Sequence, residues 1–214
     1  MVRIYLARYK TAYGMKKRAL EHELGKELLH VGLKDLYGIG LEAQDQPAIL
    51  KGEHGKPYLE DFPYIHYNIS HTDGMAACVI GDRELGIDVE RIRPFRENVL
   101  RKVFSDSERL RMEELPEEER SQYFFRLWTL KESYLKAMGL GITVPLTSIS
   151  FEWKKDSPLV CCSISGVSFW QTMVEEECVL SLCALGTEEI SFGRNLVFSA
   201  SNGISGIELC FQKP

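Results

Sequence analysis

The chain has 214 residues, of which 44% are hydrophobic and 10% aromatic, enough for one large domain or two small ones. Its formal net charge of −5 gives no general reason to bind nucleic acid or an anionic membrane, so a polyanion site must be local. No apolar run approaches the roughly 20 residues needed to span a bilayer, and the N-terminus has no signal-peptide pattern. We therefore expect a cytoplasmic protein with neither a membrane nor a nucleic-acid partner.

The first half reads as a strand, a helix and then three more strands. Residues 2–8 alternate in polarity, and residues 15–32 carry leucines at helical spacing. Three short apolar stretches follow at 65–70, 75–80 and 84–90, separated by the turn-forming HTDG and GDR. These stretches predict an antiparallel meander.

The second half repeats this plan. Residues 105–108 (SDSE) have the form of a capping box, and residues 117–139 predict one long amphipathic helix that ends at glycine. Strand candidates follow at 147–153, 158–164, 167–174 and 178–185, with two more near 194–198 and 206–212. Both halves run helix then meander, which predicts an α+β fold of two similarly built lobes, 1–103 and 104–214.

The stretch LGIDVE holds two acids where a strand is predicted. On a strand, Asp88 and Glu90 would leave the same face about 6.6 Å apart at Cα. Two carboxylates about 4 Å apart repel by roughly 4 kcal/mol at an effective dielectric of 20, so a rigid pair needs a cation or a shared proton. Mg²⁺ is the natural hard cation for such oxygens. A solvated strand end with two unrelated acids is the alternative.

The long helix contains WTLKESYLK, which sets Glu132 and Lys136 one turn apart, with Lys131 adjoining. An ordinary surface ion pair would explain this spacing equally well. Earlier in the chain, a Gly-Lys-Pro turn leads to a strand that ends in NISH. Its side chains suit phosphate oxygens, although His71 alone fits a structural turn equally well.

Four motifs, in the order GKPYL, NISH, GIDVE and WTLKESYLKAMGLGI, resemble the 4′-phosphopantetheinyl transferases of the longer single-chain (Sfp) type. The resemblance covers roughly residues 50–150 and implies two pseudo-symmetric lobes with coenzyme A bound between them. It also implies a Mg²⁺-dependent reaction that transfers 4′-phosphopantetheine from coenzyme A to a serine of an apo acyl or peptidyl carrier protein, releasing adenosine 3′,5′-bisphosphate. The related short synthases are trimers, whereas a chain of this length is expected to act as a monomer.

The resemblance also implies roles for individual residues. The expected metal ligands are Asp88 and Glu90 from one lobe's strand and Glu132 from the other lobe's helix. Glu132, or a water that it orients on the metal, is the expected base for the carrier serine, with Lys136 and His71 as the other catalytic residues. The residues expected to bind coenzyme A are Lys56, Asn68, Ser70, His71, Lys131, Lys136 and Arg18.

The chain departs from the Sfp type at both ends. Only about ten residues, YKTAYGMKKR, join the first strand to the first helix, where the family usually has a further helical stretch. Arg18, with Lys16 or Lys17, is the expected substitute for the basic contacts of that stretch. The segment from about 190 to 214 lies beyond the resemblance, and two edge strands are its simplest interpretation.

Two rival functions use the same residues. A Mg²⁺-dependent phosphodiesterase or nuclease would also need clustered acids and lysines, but this chain has no general basic surface. A non-catalytic module that binds coenzyme A or a carrier would be expected to lack one of the three acids, and all three are present.

Overall fold

The computed structural model describes residues 2–9, 17–40, 47–141, 144–153 and 160–186. The strands predicted near 194–198 and 206–212 lie outside the described residues, as does most of the segment that joins the first strand to the first helix. The first half of the chain contains β1 (Val2–Arg8), α1 (Lys17–Tyr37), β2 (Ile49–Lys51), β3 (Pro57–Leu59), β4 (His66–Thr72) and β5 (Met75–Gly81).

The second half contains β6 (Leu85–Arg91), α2 (Leu100–Val103), α3 (Asp106–Glu114), α4 (Glu117–Met138), β7 (Phe151–Trp153), β8 (Val160–Cys162), β9 (Val167–Val174) and β10 (Cys178–Leu185). The predicted capping box at Ser105 is confirmed. Helix α4 begins after Pro116 with acids in its first turn and ends at Gly139, whose φ of 64° lies in the left-handed region.

Two three-stranded antiparallel sheets form the frame, with orders β1-β5-β4 and β6-β10-β9. In both sheets the first strand in sequence pairs with the third, the third pairs with the second, and a long helix lies between the first and second. The prediction of two similarly built α+β lobes is therefore confirmed. Shorter hairpins, β2-β3 and β7-β8, extend the two lobes.

The predicted position of the lobe boundary is wrong. Strand β6 pairs with β10 rather than with β5, so the first sheet ends at Gly81 and the second begins at Leu85. The three-strand meander is consequently only a hairpin of β4 and β5. The chain bends before β6, as GDR predicts, but a turn does not specify which strand becomes the next partner.

The core has a layered order of α1, first sheet, second sheet and α4. One cluster packs α1 on the first sheet, a second lies between the two sheets, and a third packs α4 on the second sheet. Strand β10 shows the alternation: Leu180 and Leu182 face the first sheet, whereas Val179 and Cys183 face α4. In β6, Ile87 and Val89 likewise face the first sheet, which leaves its even-numbered residues on the side of α4.

The turn between β9 and β10 is strained. Glu175 and Glu176 have φ angles of 56° and 61°, in the left-handed region that a Cβ atom disfavours. Glycine is the residue that such a hairpin turn ordinarily takes.

We expect Glu176→Gly to raise the free energy of unfolding by about 1 kcal/mol, because glycine has no Cβ to strain at positive φ. Urea unfolding would measure the change. Glu176→Ala is the matched control, since it removes the same carboxylate but keeps the Cβ and should gain nothing. Equal stability of the two variants would contradict the prediction.

Candidate functional site

The site lies where the edge strands of the two sheets meet. In an edge strand of an antiparallel sheet, alternate N–H groups point away from the neighbouring strand, and in β6 these groups meet side chains of β4. The three hydrogen bonds run from Ile87 N to Asn68 Oδ1 (2.9 Å), from Val89 N to Ser70 Oγ (3.3 Å) and from Arg91 N to Thr72 Oγ1 (3.1 Å). We call this set the side-chain ladder.

The ladder's hydroxyl groups also hold the two acids of β6. Ser70 Oγ donates to Asp88 Oδ1 at 2.9 Å, and Thr72 Oγ1 donates to Glu90 Oε2 at 3.3 Å. Arg93 also donates to Glu90 Oε2, at 2.8 Å. The two carboxylates lie on one face of β6, as the strand pattern predicts, and each is oriented by a hydroxyl from the other lobe.

Asp88 is the most buried acid of the site, with 5% of its surface exposed. Lys136 Nζ donates to Asp88 Oδ1 at 2.6 Å and to Ser70 Oγ at 3.0 Å. The second oxygen, Asp88 Oδ2, is buried without a hydrogen-bond partner. A buried carboxylate oxygen without a donor is costly, and a cation bound to this atom would remove that cost.

Helix α4 reaches the acids because β6 has a glycine on the same face. A Cβ built at Gly86 would lie 2.2 Å from the carbonyl oxygen of Ser133 and 2.3 Å from the backbone nitrogen of Ala137. The helix backbone therefore rests directly on β6. This close approach brings Glu132 and Lys136 to the acid-bearing face of the strand.

Glu132 is electrostatically coupled to both acids of β6. Burial raises the pKa of its carboxyl group, Asp88 and Glu90 raise it further, and Lys136 lowers it. The three carboxylates predicted to act together thus share one local field. The acids nevertheless come from a single lobe, because β6 and α4 both belong to the second; the expectation of one acid-bearing element from each lobe is wrong.

The chemical groups of Asp88, Glu90 and Glu132 are of the type that binds a hard divalent cation. They offer carboxylate oxygens, which Mg²⁺ prefers, and the unpartnered Asp88 Oδ2. Within the described ranges, no three His, Cys, Asp or Glu side chains are arranged to hold a metal ion as they stand. Binding would therefore require Glu90 or Glu132 to adopt another side-chain conformation.

A cavity of about 220 Å³ opens beside the acids, and its walls include Lys56, Asn68, Glu132, Lys136 and Gly139. Lys56 Nζ donates to the carbonyl oxygens of Ala137 (2.5 Å) and Leu85 (3.3 Å) and to the carboxylate of Glu84. Lys56 therefore closes the C-terminal turn of α4 while forming part of the cavity wall.

Lys131 does not lie in this cavity, and its predicted contact with phosphate is wrong. Its side chain is fully buried and its ammonium group donates to Glu108 and to two backbone carbonyls. The sequence shows that Lys131 adjoins Glu132, but it does not show that the Lys131 side chain points into the core of the second lobe.

His71 and Arg18 lie on the α1 side of the first sheet. His71 alternates with Ser70 along β4, and its Nδ1 lies 3.4 Å from a carboxylate oxygen of Glu21 in α1. Arg18 is exposed in the first turn of that helix. The side chains of His71 and Ser70 point to opposite faces of β4, so they do not converge on one point in this structure. Whether His71 or Arg18 contacts coenzyme A stays a prediction.

Among the site residues that the sequence did not predict are Thr72, Gly86 and Arg93. Thr72 continues the alternation of Asn68 and Ser70, and this period of two was the signal that could have revealed it. The close approach at Gly86 and the contact of Arg93 depend on tertiary packing.

The fold and site define a two-lobed α+β protein with an acidic cluster beside a cavity that contains two lysines. Residues 84–183 match the family model described as the 4′-phosphopantetheinyl transferase superfamily. The 4′-phosphopantetheinyl transferase gsp of Aneurinibacillus migulanus is 31% identical over 169 residues, which are 66% of this chain and 70% of that protein. This chain belongs to the 4′-phosphopantetheinyl transferase superfamily, and the resemblance seen in its motifs is confirmed.

Two relatives from Bacillus subtilis are similar over shorter regions. A 4′-phosphopantetheinyl transferase is 32% identical over 135 residues, 62% of this chain and 58% of that protein. The 4′-phosphopantetheinyl transferase Sfp of strain 168 is 35% identical over 104 residues, 49% of this chain and 46% of that protein. The chain thus matches about half the length of these two relatives. Among the described residues, no helix is both long and apolar enough to cross a bilayer.

We expect Gly86→Ala to lower the free energy of unfolding by about 3 kcal/mol or to displace α4, because the new methyl group would overlap helix backbone. Thermal unfolding and the crystal structure of the variant would measure the two effects. Gly52→Ala is the control, since the nearest atom to its Cβ is 3.6 Å away. Similar stability of both variants would show that α4 does not rest on β6 as described.

When no metal is bound, the raised pKa of the Glu132 carboxyl group makes the stability of the folded protein depend on pH. The ionised form of Glu132 is less stable in the folded than in the unfolded chain, so the penalty is absent below the unfolded pKa and complete above the folded pKa. We expect Glu132→Gln to be more stable than wild type near pH 7 in a chelator, with the difference vanishing below about pH 4.

Urea unfolding across this pH range would test the expectation. Glu118→Gln, at an exposed position of the same helix, is the control and should not become more stable. A pH-independent difference for Glu132→Gln would mean that its carboxylate is not destabilised by burial and by its acidic neighbours.

Proposed function

We propose that this protein transfers the 4′-phosphopantetheine group of coenzyme A to a serine of an apo acyl or peptidyl carrier protein. The other product is adenosine 3′,5′-bisphosphate. The observation that carries the proposal is the meeting of Asp88, Glu90, Glu132 and Lys136 beside the cavity. The type of reaction is proposed from membership of the family, and the arrangement of these four side chains provides chemical groups suited to it.

We propose Mg²⁺ as the metal, held by Asp88, Glu90 and Glu132. When bound, the ion supplies positive charge that offsets the three acids and the diphosphate of coenzyme A. The carboxylate donors and the unpartnered Asp88 Oδ2 support this choice.

Lys136 is proposed to contact the diphosphate. Its ammonium group lies between Ser70 and Asp88 at the cavity wall, and a long flexible stem allows it to turn toward a phosphate. Lys56 and Asn68 line the same cavity and are proposed to contact the nucleotide part of coenzyme A. Local cations of this kind explain how a chain of net charge −5 could bind a polyanion.

Glu132 is proposed as the base. The serine oxygen of the carrier forms a new bond to the phosphorus that bears pantetheine, the bond from that phosphorus to the nucleotide oxygen breaks, and the serine proton passes to the carboxylate of Glu132. The position of Glu132 in the cavity wall, close to Asp88 and Glu90, supports this role.

The test is incubation of the protein with coenzyme A, Mg²⁺ and a panel of apo carrier proteins, followed by mass spectrometry of each carrier. The proposed activity adds one phosphopantetheine group to the carrier serine and stops when a chelator is added. A phosphodiesterase would leave the carrier unchanged and release free phosphopantetheine, and a binding module would do neither.

We expect Glu132→Gln to lower kcat by about 10²- to 10⁴-fold because the base is lost, while coenzyme A still binds. Lys136→Met should instead weaken coenzyme A binding, since one phosphate contact is removed. Calorimetric titration with coenzyme A and the carrier mass assay would separate the two effects. Near-normal transfer by Glu132→Gln would remove its assignment as the base, and Glu118→Gln serves as the control.

We further propose that the chain acts as a monomer in the cytoplasm. Both lobes and all the site residues described above belong to one chain, so no second copy is needed to assemble the site. Light scattering during size-exclusion chromatography of the active protein would measure its mass in solution.

A further inference from the structure

Lys131 directly precedes the proposed base, Glu132, in sequence, but its ammonium group is hydrogen-bonded on another side of α4. Its exposed fraction is 0%, and Nζ donates to Val103 O (2.6 Å), Leu146 O (3.0 Å) and Glu108 Oε2 (2.5 Å). An ammonium group has three N–H donors. Lys131 is fully buried and its partners lie on the core side of α4, so its ammonium group is held away from the cavity.

The carboxylate of Glu108 is equally occupied. Its Oε2 also accepts from Ser105 N at 2.8 Å, and its Oε1 accepts from Phe151 N at 3.1 Å. Together the two side chains join α4 to the end of α2, the start of α3, the turn at Leu146 and the start of β7. We call Lys131 and Glu108 the buried pair.

The buried pair is a directional attachment in a largely apolar core, and a second polar contact of α4 lies on the β10 side, where Thr129 Oγ1 is 2.7 Å from Ser181 Oγ. Hydrophobic contacts alone allow a helix to rotate or slide by small amounts, whereas five hydrogen bonds with fixed partners do not. Burying two charges contributes little net stability, so the use of such a pair calls for another explanation than stability.

The location of the pair supplies that explanation. Consecutive residues of an α-helix are separated by about 100° around its axis. The backbone segment that Lys131 fixes on the core side therefore carries Glu132 directly toward β6 and Asp88. A small rotation of α4 would move the Glu132 carboxylate away from both.

We infer that the Lys131–Glu108 pair is a positioning device that sets the rotation of α4 and so aims the Glu132 carboxylate at the acids of β6. The inference rests on the proposed function, because the rate of transfer reports the position of Glu132. Lys131 is then a positioning residue rather than a ligand of coenzyme A.

The double variant K131M/E108Q tests the inference. It removes both buried charges together, which proteins often tolerate better than the loss of one partner, and methionine keeps most of the volume of lysine. We expect kcat for carrier modification to fall about 10- to 100-fold, as for a small displacement of a reacting group. The dissociation constant for coenzyme A should change by less than about twofold.

R111M/E114Q is the matched control, because it removes an exposed ion pair of 3.0 Å on α3 by the same chemical changes and should alter neither quantity. Glu108→Gln alone retains an amide oxygen for Lys131. This milder change should give a smaller loss of kcat, again without weaker coenzyme A binding, and it is the variant to use if the double variant does not fold.

Two results would overturn the inference. Weaker coenzyme A binding with an unchanged kcat would make Lys131 a phosphate contact after all, and no change in either quantity would show that the other contacts of α4 are enough to position it. Failure of the proposed function is distinguishable, since the wild-type protein itself would then not modify any carrier. Lysine acetylation offers a second measurement: Lys131 should stay unmodified with or without coenzyme A, whereas the exposed Lys102 should react.

Discussion

The side-chain ladder between β4 and β6 is the interaction on which the rest of this structure depends. Two sheets that meet at their edges leave a row of N–H groups, and each one buried without an acceptor would cost about 1–3 kcal/mol. Oxygen atoms of Asn68, Ser70 and Thr72 satisfy that row. A side chain between two strands also holds them farther apart than the roughly 4.8 Å of a backbone ladder. One member of the ladder, Asn68, also lines the cavity.

The same ladder organises the charges. A hydroxyl group can accept one hydrogen bond and donate another, so Ser70 and Thr72 satisfy the backbone of β6 and still orient its acids. The result is a set of carboxylates that is destabilising by itself, with a raised pKa at Glu132 and an unpartnered oxygen on Asp88. Such unfavourable electrostatics concentrate at functional sites, because a ligand of opposite charge relieves them on binding.

The sequence predicted the elements and the chemical character of the site better than their arrangement. The GIDVE acids, the capping box and the long helix follow from local rules of period and capping, and the structure contains each of them. The partner of β6 could not be predicted, because hydrogen-bond pairing between distant strands leaves no local pattern. Lys131 shows the same limit for helices: a charged residue next to an acid of the cluster looks exposed until its buried partner, Glu108, is known.

The two lobes share a topology but contribute unequally to the site. All three acids come from the second lobe, on β6 and α4, and the first lobe contributes neutral side chains of β4 and the ammonium group of Lys56. The segment that matches the family model, residues 84–183, begins just before β6 and ends within β10, so it coincides with the acid-bearing lobe. The first lobe supplies hydrogen-bond acceptors for the backbone N–H groups at the edge of β6. It also supplies the hydroxyl groups that orient the acids of the second lobe. The orientation of Asp88 and Glu90 therefore depends on both lobes, because hydroxyl groups of the first lobe act together with Lys136 and Arg93 of the second.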